Sequence, residues 1–317
     1  MDLPINPADV QAAAERIRPL ARKTPVMTSS GFNREAGTRA FFKCENLQRG
    51  GAFKIRGASN LILSLSKEAL ARGVVAYSSG NHAQGTALAA QHVGAQATIV
   101  MPEDAPRSKV EATRSYGARV VTYNRFTESR EAIAAAILKE GGATLVPPFD
   151  HPMIMAGQGT AALELLQETG DLDALIAPIG GGGLLSGCAT IAKAMNPAIR
   201  VFGVEPEGAN DTFLSFAAGE RKTVAHPETI ADGLRAPRPG ELTFAVLQKL
   251  VENVVLVSDD EIRAAVKFLL LRLKILVEPS GAASVAAVLF HKLPPEIRSV
   301  GVVISGGNVD FEELAKY

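Results

Sequence analysis

The stretch ALIAPIGGGGLLSG (residues 174–187) sets the reading of the whole chain. An apolar run that suits a buried strand ends in four consecutive glycines, and an apolar helix-like segment follows at once. Consecutive glycines let backbone N–H groups converge on an anion, and the start of the next helix adds the positive end of its dipole. Strand, glycine loop and helix in that order read as a phosphate cradle in an α/β protein.

Two nucleotide-binding alternatives fail. The spacing from Gly182 to Gly187 is that of a P-loop, but Cys188 stands where its lysine belongs. The segment GQGTAA (157–162) fits the looser dinucleotide pattern, yet it follows PPFDHP and not a strand.

Outward from the glycines, the same alternation runs along the chain. Strand-like runs are Phe41–Cys44, Val74–Ser78, Ala97–Met101, Arg119–Val121, Ala174–Ile179, Val201–Val204 and Ser299–Ile304. Between them lie helix-like stretches at Gln84–Gln91, Arg107–Ser115, Glu128–Leu138, Gly159–Glu168 and Asp260–Leu271. Asn6–Pro7 reads as a helix cap followed by proline in the first turn. The pattern predicts mostly parallel sheets with helices on both faces. The proline-rich VPPFDHP (146–152) reads as a crossing between two domains. In such folds ligands bind beyond the carboxyl ends of the strands. The loops there are SSGNH, GGGG, EPEGAND and SGGN.

Composition narrows the class. The chain has 317 residues, enough for two domains at roughly 150 residues each. Its 33 basic and 33 acidic residues leave no field to draw nucleic acid or an anionic membrane. No apolar run approaches the ~20 residues of a membrane span, and MDLPINPADV lacks the pattern of a signal peptide. Cys44 and Cys188 lie far apart and read as buried free thiols, so a cytoplasmic protein is expected.

GGAFKIRGAS (50–59) places one amine, Lys54, among small and apolar residues. In extended chain, Phe53 and Ile55 would be buried while Lys54 and Arg56 face solvent. Alternatively the amine is a nucleophile, its pKa lowered by desolvation or by Arg56. SSGNHAQG (78–85) gathers hydroxyls, an amide and an imidazole at a helix start, suiting either capping or recognition of an anion and a carbonyl, with Ser79 as a proton carrier. Glu205 and Asp211 in EPEGAND are hard oxygen ligands or a solvated pair. The five histidines show no HxxxH spacing and there is no GxSxG elbow, against a zinc enzyme or a serine hydrolase. An amine, a phosphate cradle and several carboxylate binders together suit pyridoxal phosphate acting on an amino acid.

FKIRGA, SSGNHAQG, GGGGLLSG, EPSGAAS and SGGN occur in the order seen in fold-type II pyridoxal-phosphate enzymes, and the chain resembles their serine/threonine dehydratase and serine racemase family. The resemblance implies a tryptophan-synthase-β-like fold of two parallel-sheet domains with the cofactor in the cleft between them. Residues 1–73 and 149–317 would form the large domain and 74–148 a small mobile one. It implies Lys54 as the Schiff-base lysine, beside Phe53. Asn81 would bind the cofactor's 3-hydroxyl, Gly180, Gly181, Gly182 and Gly183 its phosphate, and Ser305 its ring nitrogen. Ser78, Asn81 and His82 would hold the substrate carboxylate, and Ser79 would be the acid/base on the face opposite Lys54. Glu205, the carbonyl of Ala209 and Asp211 match a divalent-cation site for Mg²⁺ or Ca²⁺, with Mn²⁺ a further candidate.

The implied activity is dehydration of a 3-hydroxy amino acid, L-threonine or L-serine first, to a 2-oxo acid and ammonia. Serine racemase and 3-hydroxyaspartate dehydratase are the alternatives within the class, and a non-catalytic pyridoxal-phosphate binding protein is a remote one. Arg130 matches a position associated with diacid ligands and would take a distal carboxylate; Arg235 and Arg238 are weaker candidates. Two departures, Ala52 and Ala236, remove polar contacts common in the family. The family tendency implies a homodimer.

Overall fold

The computed structural model describes residues 3–105 and 107–317; the first two residues of MDLPINPADV lie outside them. Ten strands occur among the described residues: β1 (Val26–Met27), β2 (Arg39–Cys44), β3 (Val74–Tyr77), β4 (Ala97–Pro102), β5 (Arg119–Tyr123), β6 (Thr144–Leu145), β7 (Ala174–Pro178), β8 (Arg200–Pro206), β9 (Asn253–Val257) and β10 (Ser299–Ile304). They form two sheets, one ordered β1-β2-β10-β7-β8-β9 and one ordered β5-β4-β3-β6. Of the strand pairs among the described residues, β1–β2 alone is antiparallel. All seven strand-like runs of the sequence are strands. Unforeseen are β1 and β6, too short to show a period, and β9.

The central strands β7 and β10 are buried along their whole length, as expected for parallel strands covered on both faces. Val302 pairs with both Phe42 and Ile176, so β2, β10 and β7 end together and carry their following loops to one edge. One apolar core, with Phe32, Phe42, Phe202 and Val285, lies on one side of this sheet. A second, with Leu165, Leu185, Ile191 and Val201, lies on the other. The third core surrounds β3 and β4 and includes Ile55, Ala58, Leu61 and Ile62.

Those four belong to the helix Lys54–Ile62, which corrects the extended reading of GGAFKIRGAS. This lysine helix packs on the helix Asn81–His92 and on the helix Pro152–Thr169, so it bridges the two sheets. Contact with the latter depends on paired glycines. A Cβ on Gly157 would lie 2.6 Å from the Gly57 Cα. Because that long helix begins at Pro152, GQGTAA is mid-helix and is no dinucleotide loop. Asn6 accepts from the N–H groups of Ala8 and Asp9 in a capping box, as its sequence implies. Among the described residues, no helix is long and apolar enough to cross a membrane.

Candidate active site

Lys54 is held from both sides in sequence. Before it, Ala52 bridges to Gly306, and the Phe53 N–H donates to the Ser305 carbonyl at 3.1 Å. After it, the fully buried Arg56 binds Glu45 through Nε and Nη2 at 2.7 and 2.8 Å. The same guanidinium reaches both Glu164 oxygens at 2.7 Å, and Lys43 closes the cluster on Glu164 at 2.6 Å. Two cations and two carboxylates thus neutralise one another, the arrangement in which burial of charge is tolerated. Arg56 neither faces solvent nor tunes the amine. Desolvation alone lowers the Lys54 pKa, to about 8. Its Nζ donates to the Pro148 carbonyl at 2.7 Å and lies 5.2 Å from the centroid of the Phe53 ring.

The SSGNH loop leaves β3 and opens the helix Asn81–His92, whose cap residue Gly80 offers no side-chain acceptor. The first N–H groups of a helix have no intrahelical partner and suit an anion. The Ser78 hydroxyl accepts from the Gly80 N–H at 3.2 Å. Asn81 is fixed at both ends: its amide nitrogen donates to Glu278 at 2.6 Å, and its oxygen accepts from Asn308 at 2.8 Å. The His82 ring is buried, and its Nε2 meets the Val146 carbonyl at 2.8 Å. A carbonyl only accepts, so Nε2 carries the proton and Nδ1 holds a lone pair. Burial, with the Lys54 charge adding to it, lowers the His82 pKa to about 3. A neutral imidazole with that tautomer has no free proton for a carboxylate, so any carboxylate contact at His82 falls to its backbone N–H.

The glycine loop joins β7 to the helix Gly183–Met195. Gly182 has φ 91°, a left-handed conformation that glycine adopts without strain. A Cβ on Gly181 would stand 2.3 Å from the Phe149 ring. No side chain caps this helix either, so its leading N–H groups are available to a phosphate. Ser305, at the end of β10, donates to the Ser280 carbonyl over a long 3.4 Å and is readily freed for another acceptor.

One cavity of about 510 Å³ between the sheets brings Lys54, Ser79, Asn81, Gly180–Gly183 and Ser305 together. An amine, a side-chain-free cradle, a fixed amide and a neutral hydroxyl are the contacts a phosphorylated pyridine aldehyde requires, so the residues fit the cofactor. The family of pyridoxal-phosphate dependent enzymes matches residues 17–306. The chain belongs to this family.

Among its relatives, an L-threo-3-hydroxyaspartate ammonia-lyase of Saccharomyces cerevisiae is 48% identical over 97% of this chain and 94% of its own. A serine racemase of Schizosaccharomyces pombe is 47% identical over 98% and 96%. The crystal structure of serine racemase from Dictyostelium discoideum superposes with a TM-score of 0.93 at 44% identity, covering 97% of this chain and all of that one. The chain is therefore a pyridoxal-phosphate enzyme of the ammonia-lyase and racemase kind, built on the same two-sheet fold.

Within this enzyme Arg130 opens the helix Arg130–Gly141. It lies over the Tyr77 ring at 5.3 Å and is already bonded to Glu131 at 2.8 Å. Sequence reasoning quoted EPSGAAS but passed over its first residue. Burial, with Asp232 adding to it, raises the Glu278 pKa to about 8 beside the cavity. The acid preceding proline and an apolar helix was the available signal.

Glu205 is the penultimate residue of β8 and Asp211 begins the helix Asp211–Ala218, both fully buried, with Ala209 in the loop between. Glu205 accepts from the N–H groups of Thr212 and Phe213 at 3.1 and 2.8 Å. Both Asp211 oxygens are buried with no hydrogen-bond partner among the described residues. Burial, with the Asp211 charge adding to it, pushes Glu205 up to about 8, and burial pushes Asp211 up to about 7. Among the described residues, no three His, Cys, Asp or Glu side chains cluster as a metal site. The two carboxyls are nonetheless not the solvated pair that the bare sequence allowed.

Proposed function

We propose that this enzyme eliminates water from a 3-hydroxy amino acid, L-serine and L-threonine being the simplest, and that the released enamine takes up water again and hydrolyses to a 2-oxo acid and ammonia. The observation that carries this is a lysine whose pKa is lowered by burial, sharing one cavity with the uncapped start of the helix Asn81–His92 and a glycine loop. Pyridoxal phosphate, when bound, supplies the electron sink that makes the substrate Cα–H acidic. Lys54 would hold its carbonyl carbon beside Phe53, Gly180–Gly183 its phosphate, Asn81 its phenolic oxygen and Ser305 its ring nitrogen. Ser78, Asn81 and the His82 N–H bind the substrate carboxylate and orient the α-carbon. The Lys54 amine, desolvated and hence a competent base near neutrality, takes the α-proton. Ser305 is a neutral hydroxyl and does not force a charged ring, which suits loss of a β-hydroxyl more than transamination.

Serine racemisation is the second reading, favoured by Ser79: a hydroxyl in the same cavity can return a proton to the α-carbon from another side. Buried carboxyls with unpartnered Asp211 oxygens favour a divalent cation, Mg²⁺ or Ca²⁺, held by Glu205, the Ala209 carbonyl and Asp211. A mobile 74–148 unit fits substrate entry between the sheets. A homodimer would cover the exposed Leu270, Leu271 and Leu276, and buried free cysteines suit a cytoplasmic location.

The test is a proton NMR time course in D₂O with L-serine and L-threonine, with stereospecific product assay. Accumulating 2-oxo acid supports the lyase. Deuterium at Cα with the D-enantiomer and no keto acid would replace it with the racemase.

A further inference from the structure

Among the described residues, five cationic side chains line the cavity: Lys54, Lys109, Arg130, Arg235 and Arg238. Their partners separate them. Lys109 is neutralised by Asp232 across the cleft at 2.5 Å, and Arg130 by Glu131. Arg238 is held by a single bond, to the Arg221 carbonyl at 3.2 Å, and sits in the field of Glu220. Arg235 has no carboxylate partner among the described residues. Its Nε and Nη2 both donate to the Thr229 carbonyl, at 2.9 and 2.5 Å, which fixes the guanidinium plane and leaves Nη1 with no hydrogen bond among the described residues.

The anchor beneath it is rigid. Thr229 is buried, and its hydroxyl donates to Asp259 at 2.5 Å. The Ile230 N–H binds the other Asp259 oxygen at 3.1 Å, in the first turn of the helix Asp259–Phe268. Two residues before Arg235, the Gly233 N–H donates to the Ser280 hydroxyl at 2.9 Å. Arg235 thus presents an oriented, uncompensated fork to the chamber that holds Lys54 and Ser79. A carboxylate docks there without first breaking an ion pair, whereas at Arg130 it must displace Glu131.

We propose that Arg235 determines specificity by receiving the side-chain carboxylate of a dicarboxylic 3-hydroxy amino acid, so that 3-hydroxyaspartate is a substrate beside serine and threonine. The assignment rests on the lyase reading above and gives Arg235 the role that sequence reasoning gave Arg130.

The test compares holoenzyme with Arg235→Met, Arg235→Lys and Arg130→Met. For each, kcat/KM is measured on L-threo-3-hydroxyaspartate and on L-serine. Calorimetric binding of L-aspartate, which lacks the leaving hydroxyl, is measured in parallel. Arg235→Met is expected to lower the hydroxyaspartate-to-serine ratio of kcat/KM by roughly 10- to 100-fold and to weaken L-aspartate binding similarly. Arg235→Lys is expected to fall between, keeping charge without the fork. An unchanged ratio in Arg235→Met overturns the proposal, as does the larger loss in Arg130→Met or wild-type turnover of serine without hydroxyaspartate. If no substrate is eliminated at all yet L-aspartate binding still depends on Arg235, the lyase reading fails while the carboxylate contact stands.

Discussion

At the scale of single residues, the chemistry turns on where protons sit. Lys54 is half-buried, hydrogen-bonds to a single carbonyl among the described residues and has a pKa of about 8, whereas a free lysine would be almost wholly protonated at neutral pH. Capture of an aldehyde needs the neutral amine. The neutral fraction grows about tenfold per pH unit as pH rises toward 8 and levels off above it. Reconstitution of cofactor-free protein with pyridoxal phosphate, followed by the growth of visible absorbance, should speed up along that curve and flatten near pH 8. A rate still climbing steeply to pH 10 would mean the amine is an ordinary lysine. Lys54 was legible from its setting in FKIRGA, but Arg56 was not. Two residues apart on a helix, the side chains diverge, and nothing local reveals that Glu45 and Glu164 converge on the guanidinium.

Elements rather than residues aim the lysine. Its helix lies against Pro152–Thr169 through Gly57 and Gly157, where the backbones leave no space for a methyl group. Gly157→Ala would place its Cβ 2.6 Å from Gly57 Cα and 2.7 Å from the Arg56 carbonyl, both backbone atoms. The helices must part, and overpacking of this kind costs about 1–3 kcal/mol. The same displacement moves Lys54. Urea unfolding should show that loss of stability, with kcat reduced at temperatures where the variant is still folded; full stability and activity would mean the crossing is slack. Strands were the more readable elements, because β7 and β10 are continuous apolar runs ending in glycine loops. The start of the helix at Pro152 was hidden, because VPPFDHP reads as loop while His151 caps the helix by accepting the Met153 N–H.

For the whole molecule, the order of strands and loops in the sequence contained much of the cleft, since SSGNH, GGGG and SGGN each follow a parallel strand and contribute to its lining, whereas the 232–238 loop and Glu278 line it without following a strand. Pairings between residues distant in sequence, Lys109 with Asp232 or Asn81 with Glu278, belong to the tertiary fold and leave no local trace. The same holds for Glu205 and Asp211, where burial decides what two carboxyls can do. Their folded pKa values, about 8 and about 7, lie above those of an unfolded chain. Between about pH 4 and pH 7 the cation-free native state therefore holds more protons than the unfolded state, and stability contributed by this pair falls as pH rises. A bound divalent cation reverses the sign, because it favours the ionised carboxylates and binds only the folded protein. Thermal unfolding of chelator-treated protein should lose Tm between pH 5 and pH 8, and millimolar Mg²⁺ or Ca²⁺ should restore most of it at pH 8. In Asp211→Asn one charge is gone, so the pH-dependent loss should shrink and the cation response should vanish. An equal cation response in wild type and Asp211→Asn would remove the ion from this loop.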